Sequence, residues 1–196
     1  MKQNIIEILW HGRGGQGAIT AAKIVANVAF DSGYSGVAMS PTFGTERRGA
    51  PIQTSLKISK DKIYDLSPIE EPDIVVVLDH LLLEEVDVTS SVKPGGLVVI
   101  NTPKPLDDYD FDNLAVAVAD VTTISGEVGL KTGIVNSGII GAFSKASRLL
   151  DIDSLIETIK DEFRQLKPDA NAEAARVTFG RTSIGGRQWE AKNTVP

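Results

Sequence analysis

The feature that most constrains this sequence is a glycine-rich segment near its amino terminus, which joins an apolar strand to a helix. The strand is predicted over residues 5–10 (IIEILW), and the helix begins at Ala18 with small residues. Between them lies His11-Gly12-Arg13-Gly14-Gly15-Gln16-Gly17. Glycines in such a segment let the backbone pass close to a phosphate, while the helix N-terminus directs unpaired N–H groups toward it. This order predicts an anion site at the end of the first strand.

The glycines at 12, 14 and 17 fit the dinucleotide pattern G-x-G-x-x-G. A dinucleotide site also requires an acidic residue at the end of the second strand, roughly 20 residues further on. The second predicted strand, residues 36–39, ends instead in Ser40-Pro41. Phosphate binding and tight helix packing without a ligand both account for the glycines, and Arg13 and Lys23 favour an anion. A stand-alone NAD(P)-binding Rossmann-type oxidoreductase is therefore kept only as an alternative.

Composition excludes several functional classes. A net charge of −6 argues against nucleic-acid and membrane-surface binding, which favour a basic face. Zero cysteines exclude disulfides, thiolate nucleophiles and cysteine-ligated iron–sulfur clusters within the chain. With two histidines, a histidine-rich metal site is not expected either. The chain lacks a run of membrane-spanning length and a secretory pattern, so we expect a cytoplasmic location.

Short runs of consecutive apolar residues predict strands that are covered on both faces, as in parallel sheets between helices. The predicted fold is a three-layer α/β domain with a mostly parallel sheet, C-terminal helices and a small antiparallel hairpin. The hairpin is predicted from the alternating segment 52–58, which turns at 59–62 into residues 63–64.

Helical periodicity begins near Val135 and continues in two further segments. Asp153 is predicted to cap the second helix, and Pro168 to begin a third helix that Gly180 ends. The domain is predicted over residues 1–180. Residues 181–196 are expected to form a loose tail whose Trp189 docks on a partner chain.

A second group of polar residues follows the second strand, where Arg47 and Arg48 lie in the segment 40–51. Because ligands bind at the carboxyl edge of open α/β sheets, we expect this segment to face the glycine segment. The two arginines suit either an anion or a subunit interface. Asp79 and His80 close the third long strand and are interpreted as loop or cap residues, and His11 as a hydrogen-bonded loop residue. No catalytic residue is predicted.

Three segments together resemble the gamma subunit of 2-oxoacid:ferredoxin oxidoreductases of the pyruvate and 2-ketoisovalerate type. They are residues 12–17 (GRGGQG), residues 43–51 (FGTERRGAP) and residues 135–138 (VNSG), and the resemblance extends over roughly residues 4–180. The family usually has proline where this chain has Thr45, which affects the rigidity of the arginine segment. The gamma-like part of indolepyruvate oxidoreductases is a nearby alternative.

The resemblance implies a division of labour among chains. The complex oxidatively decarboxylates a 2-oxoacid with coenzyme A, giving an acyl-CoA, carbon dioxide and reduced ferredoxin. Alpha, beta and delta-type subunits are expected to hold thiamine diphosphate, magnesium and the iron–sulfur clusters. This chain is expected to be an accessory, non-catalytic subunit that supports assembly. Its implied coenzyme A ligands are Gly12, Arg13, Gly14, Gly15, Gln16, Gly17 and Lys23.

Overall fold

A single mixed sheet organises the computed structural model, which describes residues 4–41 and 48–190. Its strands within these residues are β1 (Ile6–Arg13), β2 (Gly36–Pro41), β3 (Pro51–Ser59), β4 (Ile74–Val77), β5 (Leu97–Asn101), β6 (Ala115–Ala119) and β7 (Ser183–Gly186). The strand order is β2-β3-β1-β4-β5-β6-β7.

The direction of the strands confirms the prediction of a mostly parallel sheet. β1, β4, β5 and β6 are parallel neighbours, whereas β3 runs antiparallel to both β1 and β2, and β7 runs antiparallel to β6. Five strands therefore point the same way. Every residue of β4, β5 and β6 is buried, as expected of strands that are covered on both faces.

Four helices cover one face of the sheet. They are α1 (Ala18–Asp31), α4 (Asn136–Ser147), α5 (Ile152–Glu162) and α6 (Pro168–Arg181). The larger apolar core joins these helices to β1, β3, β4, β5 and β6. Within it, Trp10 of β1 packs against Phe143 of α4 with ring centroids 5.4 Å apart, which holds α4 over the centre of the sheet.

The opposite face carries a thinner layer. It consists of α2 (Leu82–Glu85), a 3₁₀ turn at Leu106–Asp108 and connecting loops. A smaller core joins Leu82 and Val88 of this layer to strand residues such as Val77 and Ile100. Helix α3 (Val121–Glu127) follows β6. The predicted three layers are present, with one of them built mainly from loops.

The partner assigned to the antiparallel strand is wrong. Residues 63–64 form no strand, and β3 pairs instead with β2 along Gly36–Pro41 and with β1 along its whole length. The connection between β2 and β3 is the segment that contains Arg47 and Arg48. Alternation of polar and apolar residues marked β3 as a strand, but pairing is a long-range property that alternation does not specify.

The expectation of a loose tail is also corrected. Residues 183–186 form β7, and the indole N–H of Trp189 donates to the carbonyl of Ser147 at 3.1 Å. Trp189 therefore packs against its own chain, whereas its contact with a partner chain stays a prediction. Residues 191–196 lie outside the described residues.

Two helix boundaries differ from their predictions. The carboxylate of Asp151, not that of Asp153, caps α5 by accepting the N–H of Ser154 at 3.0 Å. Helix α6 begins at Pro168 as predicted but continues through Gly180 to Arg181. Within the ranges that the structure describes, no helix has the length and apolarity needed to cross a bilayer.

His11 lies in β1 and not in a loop. Its side chain is 8% exposed, and burial lowers its pKa from 6.5 to about 4. A buried neutral imidazole in the folded chain and a free imidazole in the unfolded chain bind protons differently, so His11 makes stability depend on pH.

Helix α4 crosses α6 closely at Gly141. A Cβ atom at this position would overlap the carbonyl oxygen of Ala175, and would lie 3.0 Å from the backbone nitrogen of Phe179. The backbones of two helices can approach this far only where one of them carries no side chain. At Gly180 of α6, by contrast, a Cβ atom would have no neighbouring atom within 4 Å.

We predict that Gly141→Ala lowers the free energy of unfolding by about 2 kcal/mol, because helix backbones must separate to admit the methyl group. Chemical denaturation of the purified chain measures this effect. Gly180→Ala is the matched control, since it adds the same methyl group to a helix in open space and should stabilise the chain by about 0.5 to 1 kcal/mol. Equal effects of the two substitutions would contradict the predicted helix contact.

We predict that His11 makes the folded chain less stable as pH falls from 6.5 toward 4. Above the unfolded pKa of 6.5 the imidazole is neutral in both the folded and the unfolded chain, and the stability is at its full value. Below pH 6.5 the imidazole of the unfolded chain binds a proton that the buried imidazole does not bind, which lowers the free energy of unfolding. Between pH 7 and pH 5 the loss amounts to about 2 kcal/mol. Denaturation curves at both pH values measure it, and His11→Gln should remove most of this slope. An unchanged slope in His11→Gln would show that His11 is not its source.

Candidate functional site

The carboxyl ends of β1 and β4 lie side by side at the centre of the sheet. From β1 the chain continues through the glycine segment to α1 and the β2–β3 side, whereas β4 leads toward β5 and the opposite side. This is the point at which the order of strands reverses, and open α/β sheets bind ligands in the crevice at such a point. The glycine segment and the Asp79-His80 segment border this crevice.

Ion pairs from Arg13 cross the crevice. Its Nε donates to Asp79 Oδ2 at 2.7 Å, and its two terminal nitrogens donate to the two carboxylate oxygens of Glu85 at 2.6 and 3.1 Å. Gln16 supports the same arrangement, because its Oε1 accepts the Arg13 N–H at 2.8 Å and its Nε2 lies 3.4 Å from Asp79 Oδ2. Arg13 and Gln16 therefore connect the glycine segment to the turn before α2, and Arg13 also connects it to the last residue of α2.

The charges in this cluster stabilise one another. Hydrogen bonds to Glu85 and to Asp79 raise the pKa of Arg13 above its ordinary value. Burial acts to raise the pKa of Asp79, but hydrogen bonds from Arg13 and from the Leu81 N–H outweigh it and leave that pKa lowered. The Arg13 hydrogen bonds also lower the pKa of Glu85. All three side chains are charged at neutral pH, with two carboxylates on one guanidinium.

The arginine segment meets the glycine segment through the backbone. The N–H of Gly14 donates to the carbonyl of Ala50 at 2.9 Å, and the N–H of Gly49 donates to the carbonyl of Gly14 at 3.0 Å. A Cβ atom on Gly15 would lie 3.8 Å from Cγ of Arg48. Arg48 is exposed and has no ion-pair partner among residues 4–41 and 48–190. Arg47 lies outside the described residues.

Two long helices begin close together at this edge without a capping side chain. Gly17, with φ of 84°, is the N-cap of α1, and Val135 is that of α4. A Cβ atom on Gly17 would lie only 2.6 Å from Nδ2 of Asn136. The first turns of both helices contain no acidic residue. In contrast, Asp120 and Asp151 cap α3 and α5 with their carboxylates. The positive ends of the α1 and α4 dipoles therefore meet without a neutralising carboxylate in their first turns.

Buried polar residues hold the start of α4 in place. Asn136 and Ser137 are 7% and 0% exposed. Asn136 Oδ1 accepts the N–H of Ser137 at 3.0 Å, and the Ser137 hydroxyl donates to Oδ1 of Asn171 at 2.6 Å. The amide of Asn171 in turn donates to the carbonyls of Leu166 and Lys167. This network ties the beginning of α4 to the beginning of α6.

Lys23 is not free to act as an isolated cation. Its ammonium group donates to both carboxylate oxygens of Glu162, the last residue of α5, at 3.0 and 2.9 Å. The contact joins α1 to α5 on the helical face. The structure thus brings Arg48 and Asn136 to the glycine segment and engages Lys23 elsewhere.

Asp79 and Asn101 have structural roles that sequence patterns revealed only in part. Asp79 is a loop residue that closes the turn before α2, because its Oδ1 accepts the Leu81 N–H at 3.1 Å, but its ion pair with Arg13 was not predicted. Asn101 ends β5; its amide donates to the Leu78 carbonyl at 2.8 Å and its oxygen accepts the Val121 N–H at 2.9 Å. A polar residue closing an apolar strand was the available signal for Asn101. Across the described ranges, 4–41 and 48–190, no cluster of three or more histidine or acidic side chains is arranged to hold a metal ion.

Comparison with known proteins gives consistent matches over nearly the whole chain. The family model of pyruvate ferredoxin/flavodoxin oxidoreductase matches residues 7–180. The pyruvate/ketoisovalerate oxidoreductases common subunit gamma of Thermococcus litoralis is 45% identical over 184 residues, covering 92% of this chain and 98% of that protein. The pyruvate synthase subunit PorC of Methanothermobacter marburgensis is 42% identical over 182 residues, covering 93% and 100%.

Solved structures share the fold. The pyruvate oxidoreductase subunit PORC of Thermotoga maritima superposes with a TM-score of 0.80 at 30% identity, covering 94% of this chain and 100% of that one. A 2-oxoglutarate:ferredoxin oxidoreductase from Magnetococcus marinus, solved with 2-oxoglutarate, coenzyme A and succinyl-CoA bound, has a TM-score of 0.78 at 18% identity, covering 100% of this chain and 34% of that one. Extending over the glycine segment, the sheet and the C-terminal helices, these matches show that the chain belongs to the pyruvate ferredoxin/flavodoxin oxidoreductase family, on its gamma-subunit branch.

Proposed function

We propose that this chain is the gamma subunit of a 2-oxoacid:ferredoxin oxidoreductase and that it binds the phosphates of coenzyme A where α1 meets α4. The complex oxidatively decarboxylates a 2-oxoacid, pyruvate or a branched-chain 2-ketoacid, with coenzyme A. Its products are an acyl-CoA, carbon dioxide and reduced ferredoxin. This chain contributes a binding surface and supports assembly, and contains no catalytic residue.

The observation that carries this proposal is the meeting of two uncapped helix N-termini at Gly17 and Asn136. The helix dipoles attract an anion, as do the first-turn N–H groups other than that of Ser137, which already donates to Asn136 Oδ1. Neither first turn contains a carboxylate that would compete with the anion. Coenzyme A has a pyrophosphate and a ribose phosphate, which suit such a site. The Magnetococcus marinus enzyme, which shares this fold, was solved with coenzyme A bound.

The residues of the glycine segment divide between binding and support. Within the described residues, the N–H groups of Gly15 and Gly17 have no backbone acceptor, so we assign them as phosphate donors. The N–H groups of Arg13, Gly14 and Gln16 already donate to protein oxygens and keep the segment in shape. Gly12 lets β1 pass closely beneath α1, since a Cβ atom there would lie 3.2 Å from Cβ of Ala18.

The positive charge at the site comes from Arg48. Arg13 is paired with two carboxylates and Lys23 with one, so both would have to give up existing ion pairs to contact a phosphate. Arg48 lies beside Gly15 and is exposed. A guanidinium group in this position can make two parallel hydrogen bonds to one phosphate.

The remaining chemistry belongs to other chains of the complex. A chain with no cysteine has no thiolate ligands for an iron–sulfur cluster. We therefore assign the clusters, thiamine diphosphate and magnesium to alpha, beta and delta-type subunits. Ferredoxin is expected to exchange electrons with those chains. A stand-alone NAD(P)-dependent oxidoreductase is not favoured, because the chain belongs to the gamma branch and β2 ends in Ser40-Pro41 without an acidic residue.

We predict that Arg48→Ala raises the KM of the assembled complex for coenzyme A about tenfold, through the loss of one charge-assisted contact to phosphate. The KM for the 2-oxoacid should stay unchanged. Steady-state kinetics of the reconstituted complex measure both values. Arg164→Ala is the matched control, since Arg164 is an exposed arginine of the helical face with only a 3.9 Å pair to Asp161.

A double variant tests the alternative that the arginine segment is a subunit contact. If the double variant Arg47→Ala/Arg48→Ala no longer co-purifies with the other chains, these residues act at an interface. If complexes assemble normally and the KM for coenzyme A is unchanged, neither role is supported. Normal assembly with a raised KM for coenzyme A supports the phosphate site.

We predict that Gly17→Ala also weakens coenzyme A binding, raising its KM by about tenfold or more. The methyl group would collide with Asn136 Nδ2 and separate the two helix N-termini. Gly33→Ala is the matched control, because Gly33 has φ of +93° and thus pays a comparable backbone cost, yet nothing lies within 4 Å of its Cβ position. If both variants lower stability equally and leave the KM for coenzyme A unchanged, the helix junction is not the binding site.

A further inference from the structure

The far edge of the sheet is formed by β7, which pairs on one side only. The Arg187 N–H donates to the Leu114 carbonyl at 2.9 Å, and β7 runs antiparallel to β6 with Ile184 opposite Ala117. In an antiparallel pair, alternate residues direct their backbone groups to opposite sides. The N–H and C=O groups of Ile184 and Gly186 therefore point away from β6. No described strand pairs with this edge.

An apolar side chain and two cavities accompany this edge. Ile184 is 44% exposed, so an apolar side chain lies beside the unpaired backbone groups of this edge. It lines a cavity of about 230 Å³ with Arg148, Arg187 and Trp189. It also lines a second cavity of about 330 Å³ with Lys145, Arg148 and Phe179. Both cavities are large enough to take a side chain from a neighbouring strand.

The charge at this edge is positive, although the chain as a whole has a net charge of −6. Arg148 is exposed and has no ion-pair partner within the described part of the chain. Arg187 is exposed too, but its Nε lies 3.9 Å from the Cβ position of Gly95, so its side chain extends back toward β5 and away from the open edge. Lys145 donates to the carbonyl of Gly180 at 3.1 Å. Among the described lining residues, the first cavity has no carboxylate, and the second has that of Asp151, which already caps α5. The edge therefore presents cations without a matching set of carboxylates.

Arg148 is held in an unusual conformation. It ends α4 with φ of +55°, a left-handed geometry that glycine or asparagine adopts at lower cost at the end of a helix. An arginine at this position keeps a cation next to Ile184 at the expense of backbone strain. Because glycine adopts this conformation without strain, replacing Arg148 by glycine removes the cation without destabilising the fold.

We propose that β7, together with Arg148, is a docking edge for an extended segment of another chain of the complex that carries carboxylate side chains. The segment adds to the sheet as a strand next to β7. Its backbone pairs with Ile184 and Gly186, and its carboxylates contact Arg148. The inference rests on the proposed function only in that the chain is taken to be one subunit of several.

Hydrogen exchange of the gamma chain, alone and in the purified complex, tests the pairing. In the free chain the amides of Ile184 and Gly186 should exchange rapidly, whereas that of Arg187 is already protected by Leu114. In the complex the exchange of the Ile184 and Gly186 amides should slow by about tenfold or more. Rapid exchange of these two amides in an assembled, active complex would overturn the docking edge and leave the proposed function standing.

Two further outcomes would also overturn it. If Ile184 and Gly186 are already protected in the free chain, and deletion of residues 191–196 removes that protection, the chain covers the edge with its own tail. If the gamma chain does not assemble with the other oxidoreductase chains at all, both the docking edge and the proposed function fail.

Arg148→Gly separates docking from folding. The substitution removes the left-handed strain, so thermal denaturation should give a Tm no lower than that of the wild type. The dissociation constant of the gamma chain from its partner subunits should nevertheless rise by about tenfold. Lys167→Gly is the matched control, because it also removes a cation from a left-handed position, with φ of 57°, but at the end of α6 opposite to β7. It should leave assembly unchanged.

Positive charge on an open edge can also serve only to keep two copies of a chain from pairing. In that case Arg148→Gly would form dimers or aggregates in analytical ultracentrifugation and would bind the partner subunits as tightly as the wild type. That combination would contradict the proposed docking edge. Weaker assembly of a monomeric, stable Arg148→Gly chain would support it.

Discussion

The contact between Gly17 and Asn136 sets the geometry on which the rest of the site depends. Gly17 turns the chain from the glycine segment into α1 with a left-handed backbone, and the amide of Asn136 occupies the space that a side chain would need. The start of α4 can therefore lie directly against the start of α1. Because neither helix has a capping side chain, their dipoles add at one point. A helix start with an acidic cap in either place would cancel much of that potential.

The residues that support this contact lie outside the proposed phosphate site. Trp10 and Phe143 pack α4 over β1, so the two helix starts are aligned by the apolar core. Ser137 and Asn171 fix the rotation of α4 relative to α6. On the other side of the crevice, Arg13 holds the glycine segment to Asp79 and Glu85 through charged hydrogen bonds. The arrangement is preorganised, because the donors are held by contacts that exist before a ligand arrives.

The tertiary contacts change how the arginines are interpreted. Sequence patterns favoured Arg13 as a phosphate ligand because it lies within the glycine segment. Its partners, Asp79 and Glu85, are 66 and 72 residues away along the chain, and no local pattern connects them to it. Arg48 lies next to Gly15 because β3 pairs antiparallel with β1, a pairing that the periodicity of the sequence did not reveal. Charged side chains can be counted from a sequence, but their ion-pair partners cannot be identified from it.

Local chemistry was enough to predict the parallel strands, the glycine segment, the start of α6 at Pro168 and the absence of thiolate cofactor ligands. These follow from runs of apolar residues, from the backbone freedom of glycine and from composition, all of which act over a few neighbouring residues. Tertiary structure decided the partner of β3, the addition of β7 to the sheet, the docking of Trp189 on Ser147 and the ion pairing of Arg13. Each of these depends on which distant segments come together, because strand pairing, ion pairing and burial are properties of the packed chain and not of any one segment.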